Sequence, residues 1–379
     1  MVGPLEGFRI VDLCRTPPGQ MASGVLADYG ADVITVVEPG YIKKRGGPDA
    51  PARLSVNLRN KRSLNLNLRA NGGQEVFLKL ADSADAIIES NRPGVAERLG
   101  IDYETVRARN PGVIYCSLSG FGQEGPYSGI AAHDLSYQGV SGMLPQDEEG
   151  KPFVPPYNQA DLNASWFGAM SILMALLRRT KDGQGQYIDV AFADVAVTIP
   201  PGGVQDWTLR GTDPAYNVYE TSDGKYLTLS IREPWFWQRF CKLLGKEAWI
   251  RSPRPKGALR DQMHATIAQT IKTKPLGHWL EALRENDQQY GPVNRTIQDL
   301  AADPHLEARE MLLKVTHPVT GKERYEPGFA LKFSRTPATL RNGPTIMGED
   351  TAVILQELGY DQDQIMALNE SGVTAEPAL

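Results

Sequence analysis

The fold is predicted by a stretch near the N-terminus that reads FRIVDLCRTPPGQMASGVLADYGADVITVV, from Phe8 to Val37. Its apolar run at 8–13 is typical of a strand. A Pro/Gly loop at 17–19 and a short helix follow, and the apolar run at 33–37 predicts a second strand. Two such strands joined by a helix predict a compact βαβ unit.

The alternation of strands and helices continues through the first half of the chain. The further predicted strands are 64–68, 86–88, 113–118 and 187–192, and helical patterns lie around 77–80 and 103–109. This alternation of strands and helices predicts a parallel sheet that is covered by helices on both faces. Residues 162–177 are apolar on nearly every side, which predicts a helix buried in the core.

A change of pattern near Pro200-Pro201-Gly202-Gly203 predicts a domain transition. We expect a large domain over 1–200, a linker over 201–225, a small domain over 226–320 and a C-terminal segment over 321–379. The small domain is expected to hold a strand at 226–231 and helices at 235–244 and 278–285. The C-terminal part is expected to hold a strand at 312–315 and a final helix at 351–358.

Composition excludes several classes of protein. The chain of 379 residues has a formal net charge of −5, so it lacks the basic surplus of a non-specific nucleic-acid binder. Its longest apolar run, 170–177, is shorter than the roughly 20 residues of a membrane span. The N-terminal segment has no basic region typical of a signal peptide, and the three cysteines form no C-x-x-C pair. We therefore expect a cytoplasmic protein without a structural metal or disulfide framework and without a nucleic-acid or membrane partner.

Common catalytic motifs are absent from the sequence. There is no G-x-S-x-G nucleophile motif, no P-loop and no cluster of residues at metal-ligand spacing, and the loop after the first strand lacks the G-x-G-x-x-G spacing of a dinucleotide site, because Gly19 and Gly24 are too far apart. The remaining candidates are His133 and Asp134, at the start of a predicted helix, and Asp161, at the start of the apolar helix. Each has a simpler interpretation, because helix-start aspartates are common N-caps and most histidines are packed or solvated. A histidine and an aspartate at two helix N-termini are also a plausible acid/base pair around an anionic intermediate.

Several motifs in order identify the chain as similar to the family III CoA-transferases, also called the CaiB/BaiF family, which includes α-methylacyl-CoA racemases. The segments that carry the resemblance include Leu26-Ala27-Asp28-Tyr29-Gly30-Ala31-Asp32-Val33, Asn60-Lys61-Arg62-Ser63, Asn91-Arg92-Pro93-Gly94-Val95-Ala96-Glu97-Arg98-Leu99-Gly100, Ser119-Gly120-Phe121-Gly122, His133-Asp134, Gly291-Pro292-Val293 and Ala302-Asp303-Pro304-His305-Leu306. The resemblance implies an α/β fold with a Rossmann-like large domain, a smaller α+β domain, and a homodimer of interlocked chains. It also implies an acyl-CoA thioester as substrate, with no permanently bound cofactor and coenzyme A entering as part of the substrate.

The resemblance also implies residues that bind coenzyme A. The adenine would lie against Thr16, Pro17 and Pro18. The nucleotide and its phosphates would be held by Leu66, Arg69, Asn91, Arg92 and Arg98. Asp134 and Tyr137 complete the implied set, with Asp134 structural or supporting an oxyanion site. The chain has Glu38 where some relatives have an arginine after the second strand.

Two chemistries occur on this scaffold. In the transferases, the aspartate at the position of Asp161 attacks the acyl-CoA, and a mixed anhydride and an aspartyl-CoA thioester follow. In the racemases, the same aspartate and a histidine exchange protons with the two faces of the α-carbon. A non-catalytic CoA-binding protein is a third interpretation.

The residue before Asp134 favours the racemases, which carry His-Asp there, as this chain does at His133. Glu233 lies in a segment that resembles the one whose glutamate orients the racemase histidine, although an acid beside a proline at a helix start is its simpler interpretation. The segment before Asp161 is one residue shorter than expected of a racemase. The resemblance thus implies a racemase or epimerase of 2-methyl-branched acyl-CoA with His133, Asp161 and Glu233 as catalytic residues. The alternative is a transferase that moves coenzyme A between carboxylic acids.

Overall fold

The computed structural model describes residues 3–40, 55–147, 149–199, 213–316 and 321–377. The described residues divide into two compact units. The first takes those of 1–144, 154–201 and 308–379, and the second takes those of 145–153 and 202–307. The predicted transition at 200–203 lies outside the described residues.

A six-stranded parallel sheet forms the centre of the first unit. Its strands have the spatial order β3-β2-β1-β4-β5-β6, so the chain reverses direction across the sheet between β1 and β4. The strands are β1 Arg9–Asp12, β2 Asp32–Val37, β3 Lys61–Asn65, β4 Ala86–Glu89, β5 Ile114–Ser119 and β6 Gln186–Ala191. This order is that of a Rossmann-type sheet, in which ligands bind beyond the carboxyl ends of the strands where the order reverses. The predicted α/β fold class is confirmed.

Alternating strand residues form two cores, one on each face of the sheet. Ile10 and Ile88 belong to one hydrophobic cluster, whereas Val11 and Ile87 belong to the other. This alternation follows from the two-residue period of a strand. The first face is covered by helices α1 Pro17–Asp28, α5 Asp134–Ser141, α6 Gln159–Asp182 and α7 Phe192–Thr198, and the second by α2 Gly73–Asp82, α4 Tyr103–Arg107, α13 Thr351–Glu357 and α14 Gln362–Glu370. The short helix α3 Val95–Leu99 follows β4.

Helix α1 begins earlier than predicted. The segment 17–19, predicted as a loop, forms the first helical turn, with proline at its first positions. Proline suits this place because its missing N–H has no partner within a helix there, and its fixed φ matches the helix. Gly19 is required by close packing, since a Cβ there would lie 2.3 Å from the Cys14 Sγ.

A buried ionic network lies beneath the start of α1. Lys61 Nζ donates to Asp12 Oδ2 at 3.1 Å, to the Gln20 carbonyl at 2.9 Å and to Ser23 Oγ at 2.8 Å. Both charged side chains are 0% exposed. The other carboxylate oxygen of Asp12 accepts the Cys14 N–H at 2.8 Å. The Lys61–Asp12 ion pair therefore connects strands β1 and β3 to α1 and to the loop before α1.

Helix α6 corrects the prediction of a fully buried helix. Its small residues, including Ala164 and Gly168, pack against the sheet. Its other side carries an apolar stripe that is between 41% and 66% exposed in the single chain: Leu162, Trp166, Met170, Met174 and Leu177. Among the described residues, α6 is the one helix long and apolar enough to cross a membrane, but its packed side is typical of a core helix. The sequence of α6 is apolar on nearly every side, but only one side of the helix is buried in the single chain.

The second unit contains a small antiparallel sheet and a helical layer with a core of its own. The sheet has the order β7-β8-β9, with β7 Tyr216–Glu220, β8 Tyr226–Ser230 and β9 Tyr290–Pro292. The helices are α8 Pro234–Leu243, α9 Gly257–Ile271, α10 Leu276–Glu285, α11 Ile297–Ala301 and α12 Pro304–Ala308. The prediction located β8, α8 and α10 but missed α9, whose weakly amphipathic sequence has no clear helical stripe.

The C-terminal part begins with a hairpin of β10 Leu312–Thr316 and β11 Glu323–Pro327. The predicted final helix at 351–358 is present as α13, but it is not the last one. Helix α14 follows it, with a capping box formed by Asp361 and Gln364. Both helices contribute to the core on the second face of the large sheet, through Ile354 and Ile365.

Candidate active site

A cavity of about 400 Å³ opens at the carboxyl ends of the large sheet, beside the reversal between β1 and β4. The start of α1 forms one side and the turn after β4 forms another. The remaining wall comes from the ends of β5 and β6 and from the starts of α5 and α6. The lining residues used below are Thr16, Pro17, Pro18, Ser90, Asn91, Arg92, Ser119, Gly120, Ser128, His133, Tyr137, Asp161 and Phe192.

The two predicted acid/base groups line this one cavity, although 28 positions separate them in the chain. His133 is the N-cap residue of α5, with extended backbone and no capping hydrogen bond from its side chain. The ring is exposed in the single chain. Asp161 stands in the first turn of α6 and is half-buried. The two helix starts therefore direct an imidazole and a carboxyl group to the same space.

Asp134 connects the two helices. Its carboxylate is 6% exposed and accepts the backbone N–H of Asp161 at 3.0 Å, while its other oxygen accepts from the Gln138 side chain. Asp134 therefore supplies a hydrogen bond to the first turn of α6 from outside that helix, which satisfies one of the turn's free donors. The simpler interpretation of both aspartates was that they are helix N-caps. The structure differs, because neither Asp134 nor Asp161 caps its own helix with its side chain.

The Asp161 carboxyl group has an unusual acidity. Burial in the cavity wall, and then the neighbouring charge of Asp134, raise its pKa from the ordinary 3.8 to about 6, against a smaller opposite effect of His133. Burial acts in this direction because it disfavours the charged form. A carboxyl group with a pKa near neutral can both accept and return a proton, which is what acid/base catalysis requires.

This raised pKa predicts a pH dependence of stability. Between about pH 4 and about pH 6 the folded state retains the Asp161 proton more strongly than the unfolded chain does. The free energy of unfolding should therefore fall as the pH rises through this window, by about 1 to 3 kcal/mol after allowing for partial solvation. Urea unfolding of the wild type and of Asp161→Asn at pH 4.5 and pH 7 measures the difference.

The control for this prediction is Asp182→Asn, at the exposed end of the same helix. It should leave the pH dependence as in the wild type. Asp134→Asn removes the charge that is the second cause of the raised Asp161 pKa. The upper end of the pH window in which stability falls should therefore move partway from pH 6 toward pH 4. The Asn side chain still offers an oxygen that accepts the Asp161 N–H. A wild type whose pH dependence equals that of Asp161→Asn would contradict the assignment.

Tyr137 shapes the cavity wall beside His133. Its hydroxyl donates to the Ala132 carbonyl at 2.8 Å, and its ring packs edge-on against Phe121 and Phe192. The ring also lies over Gly120, where a Cβ would come within 2.7 Å of it. Burial raises the pKa of Tyr137 to about 12, so the phenol is neutral. Tyr137 therefore fixes the backbone next to His133 as well as lining the cavity.

The predicted nucleotide residues divide into three groups. Thr16, Pro17, Pro18, Asn91 and Arg92 lie together in the cavity wall. Leu66 is 1% exposed and belongs to the core on the other face of the sheet, with one edge on a small void shared with Asn91. Arg69 is exposed and pairs with Glu38 at 3.3 Å, and Arg98 forms the last turn of α3 before the left-handed Gly100. The binding roles of all these residues, in the cavity wall or outside it, stay predictions.

Glu233 belongs to the second unit, where it is the N-cap residue of α8 and precedes Pro234. Its side chain does not cap the helix. One of its carboxylate oxygens, Oε2, is buried and has no hydrogen-bond partner within the described part of the chain. The predicted pairing of Glu233 with His133 stays a prediction.

Among the lining residues that the sequence analysis missed are Ser90, Ser119 and Phe192. They stand at or directly after the ends of β4, β5 and β6. A signal was available, since residues at the carboxyl ends of parallel strands face the ligand side of such a sheet. No group of three or more potential metal ligands occurs within the described ranges.

The fold and cavity define an α/β protein with a Rossmann-type sheet and with a histidine and an aspartate, His133 and Asp161, in the wall of its crevice. The chain belongs to the CoA-transferase family III, whose family model matches residues 5–351. It is 30% identical to the alpha-methylacyl-CoA racemase of Mus musculus, over 99% of this chain and 98% of that protein. It is also 30% identical to the succinate–glutarate CoA-transferase of Agrobacterium fabrum, over 94% of this chain and 96% of that one.

Solved structures agree with this membership. A CAIB/BAIF family protein from Brucella suis superposes with a TM-score of 0.79 at 27% identity, covering 94% of this chain and all of that one. The predicted family is thereby confirmed. Because a racemase and a transferase are equally similar in sequence, the particular activity is not decided by similarity.

Proposed function

We propose that this protein is an acyl-CoA racemase that inverts the α-carbon of a 2-methyl-branched acyl-CoA. The observation that carries the proposal is the presence of His133 and Asp161 in one cavity wall, with the pKa of Asp161 raised to about 6. A carboxyl group of this acidity and an imidazole both gain and lose protons near neutral pH. A racemase needs two such groups, one for each face of the α-carbon.

The reaction proceeds in two proton transfers. One group removes the α-proton as a base, and the electron pair of the C–H bond moves into the thioester to form an enolate. The other group, acting as an acid, then returns a proton to the opposite face. Each turnover leaves the two groups with exchanged protonation states, which solvent restores.

The start of α5 favours the anionic intermediate. Backbone N–H groups in the first turn of a helix carry partial positive charge and have no partners within the helix. We propose that those after His133 stabilise the enolate oxygen, because donors fixed in advance stabilise developing charge most effectively. Glu233 is proposed to orient His133.

Coenzyme A is proposed to enter as part of the substrate along the wall formed by Thr16, Pro17, Pro18, Asn91 and Arg92. These residues lie at the reversal of strand order, where Rossmann-type sheets bind nucleotides. Arg92 supplies a cation for phosphate, and Arg69 and Arg98 are proposed to add two more. A cytoplasmic location is proposed with this function.

A homodimer is proposed on the apolar stripe of α6. This stripe includes Trp166, Met174 and Leu177, and the sequence resemblance implies interlocked chains. Contiguous exposed apolar surface of this kind marks interaction sites. Sedimentation of the full chain tests the proposal, and a monomer at micromolar concentration would contradict it.

The second candidate is a CoA-transferase, which the relative from Agrobacterium fabrum favours. There, Asp161 would attack the thioester carbonyl and displace the CoA thiolate, which would then attack the mixed anhydride to release the acid and leave an aspartyl-CoA thioester. The acceptor carboxylate would then attack the Asp161 carbonyl and displace the CoA thiolate, forming a second mixed anhydride. The thiolate would attack the acceptor's carbonyl carbon in that anhydride, which gives the new acyl-CoA and frees the Asp161 carboxylate. This route needs no base on the opposite face, so His133 would have no proton to transfer.

Deuterium incorporation separates the two activities. The protein is incubated with a 2-methylacyl-CoA in D₂O, without any free carboxylic acid, and deuterium at the α-carbon is followed by mass spectrometry. A racemase incorporates deuterium, and His133→Asn loses racemisation. A transferase leaves the α-carbon unlabelled and passes CoA to added succinate, and hydroxylamine added during turnover attacks the activated Asp161 carbonyl, releases the acid or CoA, and leaves a hydroxamate on Asp161. The second result would overturn the racemase proposal.

A further inference from the structure

Ser119 has a buried hydroxyl group that the fold leaves without a partner. It is the last residue of β5 and is 8% exposed. Its Oγ has no hydrogen-bond partner among the residues that the structure describes. Ser119 nevertheless lines the cavity that also contains His133 and Asp161. Because buried hydroxyls in native proteins are nearly always paired, this one requires an explanation.

The other serines of the same cavity are paired. Ser90 accepts from the Thr16 hydroxyl at 3.5 Å and from the Arg15 N–H at 3.4 Å. Ser128 donates to the Gly125 carbonyl at 3.0 Å. The unpaired state is therefore particular to Ser119 among the cavity's described serines. Because Ser119 is one of the residues that line this cavity, a bound ligand is a candidate partner for its hydroxyl.

The position of Ser119 along the sheet indicates which part of a bound acyl-CoA would lie next to it. The cavity residues follow the strand order from the loop after β1, through the turn after β4, to the end of β5. Adjacent strands are about 4.8 Å apart, so Ser119 lies on the order of 10 Å from the end of β1, toward the acid/base pair. An acyl-CoA whose nucleotide lies at Thr16 would place its thioester arm past Ser119.

We propose that the Ser119 hydroxyl donates a hydrogen bond to a carbonyl oxygen in the thioester arm of the substrate. This inference rests on the proposed binding of an acyl-CoA in this cavity. The candidate acceptors are the amide oxygens of the pantetheine chain and the thioester oxygen itself. Ser119 begins the Ser119-Gly120-Phe121-Gly122 motif, and this proposal gives it a substrate-binding role that the resemblance did not assign to it.

The variant Ser119→Ala tests the proposal, and Ser171→Ala is its control. Ser171 belongs to α6 and is not among the residues that line the cavity, and its hydroxyl donates to the Gly168 carbonyl at 2.8 Å. We expect Ser119→Ala to weaken acyl-CoA binding or turnover by about fivefold, the usual effect of one neutral hydrogen bond. Ser171→Ala should stay within about twofold of the wild type.

Two measurements distinguish the acceptors. If Ser119 contacts a pantetheine amide, calorimetry shows weaker binding of both free CoA and acyl-CoA, with kcat unchanged. If it contacts the thioester oxygen, free CoA binds as in the wild type and kcat falls. Either result supports the proposal. Wild-type affinity for both compounds together with wild-type kcat would overturn it.

Thermal melting separates this role from a structural one. Removal of an unpaired buried hydroxyl should leave the Tm of Ser119→Ala equal to or above that of the wild type. A lowered Tm would indicate that the hydroxyl stabilises the fold and would contradict the proposal. If the wild type binds neither CoA nor acyl-CoA, the proposed function itself fails, which is a different outcome from a variant that binds as the wild type does.

Discussion

Replacement of Asp161 by Asn is expected to lower the rate of racemisation by about 10²- to 10⁴-fold, the usual range for loss of a positioned acid/base group. Asn has nearly the same shape as Asp and cannot exchange a proton near neutral pH. Racemisation requires both faces of the α-carbon, so loss of either group stops interconversion. Chiral analysis of the acyl-CoA after incubation measures the effect.

The two-base mechanism adds a sharper expectation for this variant. With His133 intact, Asp161→Asn should still exchange the α-proton of the one enantiomer whose proton faces the imidazole. His133→Asn should show the opposite preference. Stability provides the folding control, because Asn removes a half-buried carboxyl group whose charged form is disfavoured. At pH 7 the variant should be at least as stable as the wild type.

Three results would count against this assignment. Wild-type racemisation by Asp161→Asn would remove Asp161 from the mechanism. Equal loss in Asp182→Asn, at the far end of α6, would indicate a general effect on the helix. Loss of exchange in both enantiomers would indicate that the two groups do not serve opposite faces.

Replacement of Lys61 by Met is expected to lower the free energy of unfolding by about 3 to 5 kcal/mol. Lys61 and Asp12 form an ion pair with neither side chain exposed. Removal of the cation leaves the Asp12 carboxylate buried without a counter-charge, while Met fills most of the space of the lysine chain. The loss should be visible as a lower midpoint of urea unfolding for the first unit.

The matched control is Lys272→Met. Lys272 pairs with Glu220 at 2.7 Å, but both side chains are largely exposed. Exposed pairs of this kind contribute little to stability, so Lys272→Met should leave the urea midpoint close to that of the wild type. A loss of less than about 1 kcal/mol in Lys61→Met would show that the buried pair is not needed for stability.

The buried lysine illustrates what the sequence could not predict. Lys61 was recognisable only as part of the Asn60-Lys61-Arg62-Ser63 motif, and a lysine in a short strand is ordinarily exposed. Its burial depends on Asp12, Gln20 and Ser23, which come from distant positions and meet only when β1, β3 and α1 pack together. The stripe on α6 illustrates the opposite error, because its apolar residues were predicted to be buried and stand exposed in the single chain.

The strands and the fold class followed from local patterns. Apolar runs of strand length, separated by helical stretches, predicted β1, β2, β4, β5 and β6 to within one or two residues. These features depend on side chains close together in the chain, so periodicity reveals them. Helix starts were less certain, as the early start of α1 at Pro17 shows.

The site was only partly readable from the sequence. His133, Asp134 and Asp161 were selected by residue type, by motif and by their places at helix starts. That His133 and Asp161 line one cavity, that Asp134 bonds the Asp161 backbone and that the pKa of Asp161 rises to about 6 were decided by the tertiary structure. The physical reason is that burial and electrostatic interaction depend on distances through space, which the packing of α5 and α6 on the sheet establishes and local sequence does not.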